Sequence, residues 1–256
     1  MYNGIKGKTV IVTGGASGIG RHTAVSFAEQ GANIVIVTGR SVKAAEETVA
    51  EIKALNVNAI FVQCDVSNER HVEAMVAKTV ETFGSVDIAF NNAGVGPDGV
   101  TIPMVPITDV TESDWDWVMD TNLKGVFLCM KHELRQMRKQ GSGRIVNTSS
   151  DAGLGAMGNF GGYCPSKAGN NMLSICAAIE NADMDISVNV VCPGPTANTA
   201  MFNRLKSSLQ GPPEGALPMS LNDVDDVARV VLWLCSDEAS RVNGSVIAVG
   251  GRLGVF

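Results

Sequence analysis

The chain is poor in the residues that build metal, disulfide and nucleic-acid sites. Its three histidines, His22, His71 and His132, are scattered and show no ligand spacing, which argues against a metal centre. The six cysteines, Cys64, Cys129, Cys164, Cys176, Cys192 and Cys235, contain no CxxC pair and read as reduced core thiols. No secretory signal precedes the first apolar run, so the expected location is cytoplasmic. No uncharged apolar stretch reaches the roughly 18 residues a membrane span needs. Positive charge is short as well. The net charge of −6 offers neither a basic face for nucleic acid nor a polybasic membrane patch. There is no Gly-Lys-Ser/Thr after the Gly-rich turn, which excludes a P-loop hydrolase.

What the chain does have is an alternation of short β-branched runs and longer amphipathic stretches. Strands are expected at 8–13, 33–37, 59–63, 86–90, 144–148, 186–191 and 245–249. Helices are expected at 18–30, 42–55, 69–83, 112–139, 165–181 and 224–235. Buried strands separated by helices predict an α/β fold, doubly wound and of Rossmann type, with a mostly seven-stranded parallel sheet covered on both faces. No linker or repeat divides the chain, so 1–256 is expected to form a single domain. Residues 193–220 are rich in Pro, Gly and Ser and lack periodicity; they read as an irregular substrate loop or lid.

The chemistry-bearing motifs all follow strands. The first strand runs into Thr13-Gly14-Gly15-Ala16-Ser17-Gly18-Ile19-Gly20. Glycines there allow a tight turn and close approach to a pyrophosphate at a helix N-terminus. The spacing of Gly14, Gly18 and Gly20 is not GxGxxG, so alone it is only a glycine-rich βα turn. Asp65-Val66 follows the third strand, Asn91-Asn92-Ala93-Gly94 the fourth, Ser149-Ser150 the fifth and Pro193-Gly194 the sixth. That shared carboxyl edge is where open α/β sheets bind ligands. Tyr163 and Lys167 lie four apart on an expected helix face, placing an ammonium near a phenol. A cation there is expected to lower the phenol pKa from about 10 and make Tyr163 a usable acid/base.

Together these pieces resemble the short-chain dehydrogenase/reductase superfamily over essentially the whole chain. The resemblance rests on the TGxxxGIG turn, the NNAG segment, Asn122 in Thr121-Asn122-Leu123-Lys124-Gly125, the serine thirteen residues before Tyr163, the YxxxK pair and the PG turn. It implies an NAD(P)-dependent oxidoreductase acting on a secondary alcohol or ketone. Tyr163 would be the general acid/base, and Lys167 would tune it and hold the nicotinamide ribose. Ser150 would hold the substrate oxygen, and Asn122 would support a water relay. For the cofactor it implies Gly14, Ser17, Gly18, Ile19 and Gly20 at the phosphates, and Thr38 and Arg40 at the adenosine ribose. It also implies Asp65 and Val66 beside adenine, Asn92, Ala93 and Gly94 along the groove, and Pro193, Gly194 and Thr196 at the carboxamide. Asn91 is read instead as a tie within the sheet.

Cofactor, substrate and assembly are read further. No acid occupies positions 38–42, and Arg40 suits a 2′-phosphate, which favours NADP(H) over NAD(H). The alternative leaves Arg40 in solvent or stacked on adenine. The lid carries Met201, Phe202, Leu205, Leu209, Pro212, Pro213, Leu217 and Met219, which suits an apolar small molecule such as a hydroxysteroid. Sugars, acyl thioesters and small ketones remain alternatives. Relatives of this kind are commonly homotetramers, and the apolar tail 253–256 is a candidate contributor to an interface. Two departures stand out: Val249-Gly250-Gly251-Arg252 replaces the family's Val-Asp-Gly-Gly, and two threonines, Thr196 and Thr199, compete for one family position. The rival readings are a non-catalytic dinucleotide-binding protein and a methyltransferase.

Overall fold

A computed structural model describes residues 2–208 and 221–250. Seven parallel strands form one sheet in the order β3-β2-β1-β4-β5-β6-β7. They are β1 (Thr9–Thr13), β2 (Asn33–Thr38), β3 (Ala59–Gln63), β4 (Ile88–Asn91), β5 (Ser142–Thr148), β6 (Asp185–Pro193) and β7 (Val246–Val249). The helices are α1 (Gly18–Glu29), α2 (Val42–Lys53), α3 (Glu69–Phe83), α4 (Glu112–Met119), α5 (Gly125–Gln140), α6 (Tyr163–Glu180), α7 (Ala200–Ser208) and α8 (Val224–Leu234).

The strands are apolar on both sides because helices cover both faces. Val10, Val12, Ile34 and Ile36 join Phe27 of α1, Ile52 of α2 and Val231 of α8 in one core cluster. Their neighbours in sequence, Ile11, Val35 and Val37, join Met75 of α3 and Met130 and Met137 of α5 in the other. Each such side chain contributes about 1.5–3 kcal/mol on burial. Helix ends follow local chemistry. Asn68 caps α3 through the Arg70 and His71 amides, Asp223 and Asp226 form a reciprocal capping box on α8, and Gly84 and Gly141 close α3 and α5 at positive φ.

Two expectations about elements need correction. The helix expected over 112–139 is interrupted by a π turn, Asp120–Lys124, between α4 and α5. A π turn inserts one residue, which the 3.6-residue pattern does not register. The segment expected to be irregular contains α7, whose residues are never fully buried and so left no clear apolar stripe. Leu209, Pro212, Pro213, Leu217, Met219 and the tail 253–256 lie outside the described residues.

The strand order reverses direction between β1 and β4, because β2 and β3 build outward on one side and β5 to β7 on the other. A crevice opens beyond the carboxyl ends of those two strands, and that position sets where a ligand binds. Among the described residues no helix is long and apolar enough to cross a membrane, and no cluster of His, Cys, Asp or Glu suits a metal.

Candidate active site

The floor of the crevice is the turn between β1 and α1. Gly14 and Gly18 have φ of +67° and +53°, a region that favours glycine. A Cβ on Gly20 would lie 2.4 Å from the Gly14 carbonyl, so the third glycine is a packing requirement. Ser17 precedes α1 without capping it by its side chain, and no acid occupies the first turn. Ile19 follows as part of that turn, half-buried against the core. The free amides therefore fit a phosphate group, in charge and in space.

Thr13 ties this turn to the strand beside it. Its hydroxyl accepts bonds from the Asn92 and Ala93 amides at 3.0 and 3.1 Å, while the Asn92 side chain donates to the Thr13 carbonyl at 3.3 Å. Gly94 comes next, and a Cβ there would lie 3.2 Å from Asn122 Oδ1 and 3.5 Å from Lys167 Nζ. Asn91 points the other way: it is buried and its amide donates to Glu133 and Asn147.

The four residues expected to carry chemistry converge. Asn122 sits in the π turn and clamps the chain after β4, donating to the Val95 carbonyl at 2.7 Å and accepting from its amide at 2.8 Å. It also donates to Ser166 Oγ on α6 at 3.2 Å. Tyr163 opens α6, and Lys167 lies one turn on, its Nζ 5.6 Å from the tyrosine ring centre. The ammonium is buried and donates to the Thr148 carbonyl at 2.9 Å. The adjacent serines divide their work. Ser149 donates to the Lys167 carbonyl at 3.0 Å, whereas Ser150 lies beside the Tyr163 phenol. Ser150 also donates to Asp151 at 2.8 Å.

The electrostatics differ from the sequence expectation. Burial pushes the Tyr163 phenol up to about 12; the Ser150 hydrogen bond opposes this and the Asp151 charge adds to it. Lys167, brought down to about 8 by burial, does not lower the phenol in this structure. The phenol holds its proton at neutral pH, the form that donates to a carbonyl oxygen.

At the other end of the crevice the residues stand in solvent. Arg40 follows β2 past Thr38 and lays its guanidinium over the Trp117 ring of α4, 4.9 Å from its centre. Asp65 is exposed. Partial burial raises its pKa, but bonds from Ser67 and then the charges of His71 and Arg40 outweigh this and hold it below the usual range. Val66 is buried, and a Cβ on Gly125 would meet it at 2.8 Å.

Beyond β6, Pro193 ends the strand and Gly194 donates to the Val249 carbonyl at 3.1 Å. Thr196 turns its hydroxyl back to Gly194 at 2.9 Å, while Thr199 lies against Gly18, with its Cγ2 3.5 Å from a Cβ placed there. Met201 of α7 and Tyr163 flank Gly96, at 3.2 and 3.0 Å from the Cβ it lacks. An apolar cavity opens beside Tyr163 between Ile102, Val105, Trp115, Val118 and Phe160. Sequence reasoning missed Trp117 and Asp151 as neighbours of the site, and it left Thr199 in competition with Thr196. Trp117 meets a partner far away in the chain, and no local pattern announces such a contact.

The comparisons with known proteins agree with this geometry. Residues 8–210 match the family described as short chain dehydrogenase. An uncharacterized oxidoreductase of Thermotoga maritima is 40% identical over 253 residues, covering 96% of this chain and 97% of its own. The 3-oxoacyl-[acyl-carrier-protein] reductase FabG of Staphylococcus aureus is 39% identical over 249 residues, covering 96% and 98%. Among solved structures, NAD+-bound xylitol dehydrogenase aligns with a TM-score of 0.89 at 31% identity, covering 98% of this chain and 100% of its own. Levodione reductase aligns at 0.83 with 34% identity, covering 96% of each chain. The chain belongs to the short-chain dehydrogenase/reductase family and is an NAD(P)-dependent oxidoreductase acting on CH–OH groups.

Proposed function

We propose that this protein reduces a ketone with an apolar body, using NADPH in preference to NADH and Tyr163 as the proton donor. The observation that carries this reading is the placement of the Tyr163 phenol beside Ser150 and next to the apolar walls of Ile102, Val105, Val118 and Phe160. When bound, the nicotinamide supplies the hydride. Ser150 holds the carbonyl oxygen, and Tyr163 delivers the proton to it as negative charge develops. Lys167 would hold the nicotinamide ribose, and Asn122 keeps the chain at Val95 in place and would support a water relay between Lys167 and solvent. Gly14, Ser17, Gly18, Ile19 and Gly20 hold the pyrophosphate, with Thr199 beside them. Asn92, Ala93 and Gly94 line the groove, and Pro193, Gly194 and Thr196 receive the carboxamide. Asp65 and Val66 flank adenine.

The NADPH preference rests on charge: Arg40 presents a guanidinium edge where no carboxylate stands at positions 38–42. The apolar body rests on the cavity walls and on Met201. The names of the relatives span an acyl-carrier-protein thioester, levodione and xylitol, so the panel to test contains steroid ketones, acyl thioesters, small cyclic ketones and sugars. Nicotinamide fluorescence gives the two cofactor affinities, and NADPH oxidation reads each substrate. Tighter NADH binding would sink the cofactor choice. Turnover confined to sugars would sink the apolar reading.

The same reading makes the enzyme a cytoplasmic homotetramer built on α5 and α6. Phe127, Met172 and Ile179 are 45%, 62% and 71% exposed along one face that also carries Leu123 and Cys176. Such a face is covered in an assembly. Met172→Glu is expected to lower the mass in solution; an unchanged mass would remove this face from the interface.

A further inference from the structure

Two carboxylates are buried among the described residues outside the catalytic group, and their surroundings are opposite. Asp98 is saturated: it accepts the amides of Val100, Thr101 and Ile102 at 3.0, 2.6 and 3.4 Å and pairs with Arg204 at 2.5 Å. Glu133 on α5 is fully enclosed and has no such support. Among the described residues its only bond comes from Asn91 Nδ2 to Oε2, at 2.9 Å. The second N–H of that amide goes to Asn147 Oδ1 at 3.0 Å. Two acceptors in this pair are left without a donor, Glu133 Oε1 and Asn91 Oδ1. Two orphaned acceptors on one acid–amide pair are costly, and a single proton satisfies both.

The pair is the end of a buried rail. Asn147 donates to Ser174 Oγ at 2.8 Å, and Ser174 donates to Asn170 at its carbonyl, 2.7 Å, and at Oδ1, 3.2 Å. Asn170 donates to the Thr148 carbonyl at 3.1 Å, the oxygen that also receives Lys167 at 2.9 Å. Asn91 leads along the backbone into Asn92-Ala93-Gly94, and Asn147 into Thr148-Ser149-Ser150. The rail therefore joins the carboxyl ends of β4 and β5 to the carbonyl that receives Lys167.

We infer that Glu133 is carried as the neutral acid, donating from Oε1 to Asn91 Oδ1, and that this closed pair positions the ends of β4 and β5 and the carbonyl that holds Lys167. Its surroundings favour the neutral form. Burial pushes Glu133 up to about 7, against the Asn91 bond, which pulls down. The titratable groups facing it are thiols, Cys64 after β3 and Cys129 on α5, both raised chiefly by burial and so neutral beside it. β4 and β5 face it with the neutral Asn91 and Asn147. Glu69 of α3 is taken up by Lys131 and His132, and Asp120 of the π turn by Lys124. No cation among the described residues pairs with Glu133. Ionisation sets Oε1 against Asn91 Oδ1 and loosens the pair. Glu133 is a positioning residue, touching neither cofactor nor substrate.

The link to Lys167 rests on the proposed function; the proton on Glu133 does not. Infrared difference spectra of the whole protein at pH 6 test the proton alone. The expected result is a protonated-carboxyl band that shifts in heavy water and is missing in Glu133→Gln, whose amide reproduces the neutral acid's donor and acceptor. Absence of the band in the wild type overturns the assignment. NADPH fluorescence titrations between pH 6 and 9 then test the positioning. The wild-type and Glu133→Gln curves are expected to meet at pH 6 and to separate on the order of threefold above neutrality, the wild type weakening. Superimposed curves overturn the positioning role even with the band present. Failure of both proteins to bind NADPH overturns the cofactor reading, and the band still decides the proton.

Discussion

The two ends of the crevice are built by different means. At the catalytic end, the buried side chains of Asn122, Ser150 and Lys167 are held by main-chain partners, Val95, Ala152 and Thr148, and Tyr163 sits among them at the start of α6. At the adenosine end, Arg40 and Asp65 stand in solvent, and Arg40 is held by stacking on Trp117 rather than by the backbone. A site held by the main chain is set by spacing along the sequence. A site held by exposed side chains is set by whatever the fold brings near, and it is free to change without disturbing the sheet.

The catalytic end gives the largest expected effect. Tyr163→Phe removes the phenol hydroxyl, the proposed proton donor, and leaves the ring, its edge contact with Phe160 and the groove in place. Turnover is expected to fall by about 10²–10⁴-fold, the contribution of a positioned acid, with NADPH affinity changed by no more than about twofold. Stopped-time assays and fluorescence titration read the two separately. Retained turnover would show that the phenol is not the donor and that the tight end of the crevice serves only to bind.

Glu133 sharpens the comparison from below, because it is buried under the tight end. Its folded-state pKa, about 7, lies above the ordinary 4.5, so the folded protein binds this proton more tightly than the unfolded chain. That contribution to stability is fully present below pH 4.5 and is lost as pH rises through 7. The loss amounts to about 3 kcal/mol, an order-of-magnitude figure. Glu133→Gln carries no such loss. Denaturant melts at pH 5 and pH 8 are expected to show the variant gaining on the wild type at pH 8. An unchanged difference between the two pH values would mean that the carboxyl titrates normally.

The same contrast explains what the sequence made legible. The bounds of β3 and α3 follow directly from β-branched and 3.6-residue patterning, since each buries a face against the sheet. Tyr163 and Lys167 are one helical turn apart, and Ser150 follows the carboxyl end of β5, so the motifs' shared sheet edge brings them near. The π turn at Asn122 was invisible, because one inserted residue leaves an apolar stripe nearly intact. Helix α7 was invisible for the opposite reason, having no buried stripe to read. Glu133 reads in the chain as one more charged residue on an amphipathic helix; only its partners on β4 and β5 reveal the enclosure. The lowering of the Tyr163 phenol expected from the proximity of Lys167 is not what sets it: burial dominates, with Ser150 and Asp151 as the next influences.

The adenosine end gives smaller effects. Arg40→Leu removes the guanidinium edge, and NADPH affinity is expected to fall by about 10- to 100-fold, the loss of a charge-assisted bond worth about 1.5–3 kcal/mol. NADH affinity is expected to stay within about twofold. Equal losses for both cofactors would mean that Arg40 meets adenine and not a 2′-phosphate, and the preference would have to be sought elsewhere.

Trp117→Ala is the finest of these tests, and its sign matters more than its size. A guanidinium stacked on an aromatic face keeps its N–H edge outward, so the ring acts as a platform that fixes the fork before a phosphate arrives. Removing the platform is expected to weaken NADPH by about 0.5–1 kcal/mol, roughly two- to fivefold, and to leave NADH nearly unchanged. The double variant with Arg40→Leu should then show no added loss, since the ring acts only through the arginine. If Trp117→Ala instead tightens NADPH, the stack competes with the phosphate, and the indole holds Arg40 away from the cofactor. A loss shared by NADPH and NADH would place the indole against the adenosine itself. In each case the answer comes from a contact between residues 40 and 117, one that no reading of either neighbourhood alone would have joined.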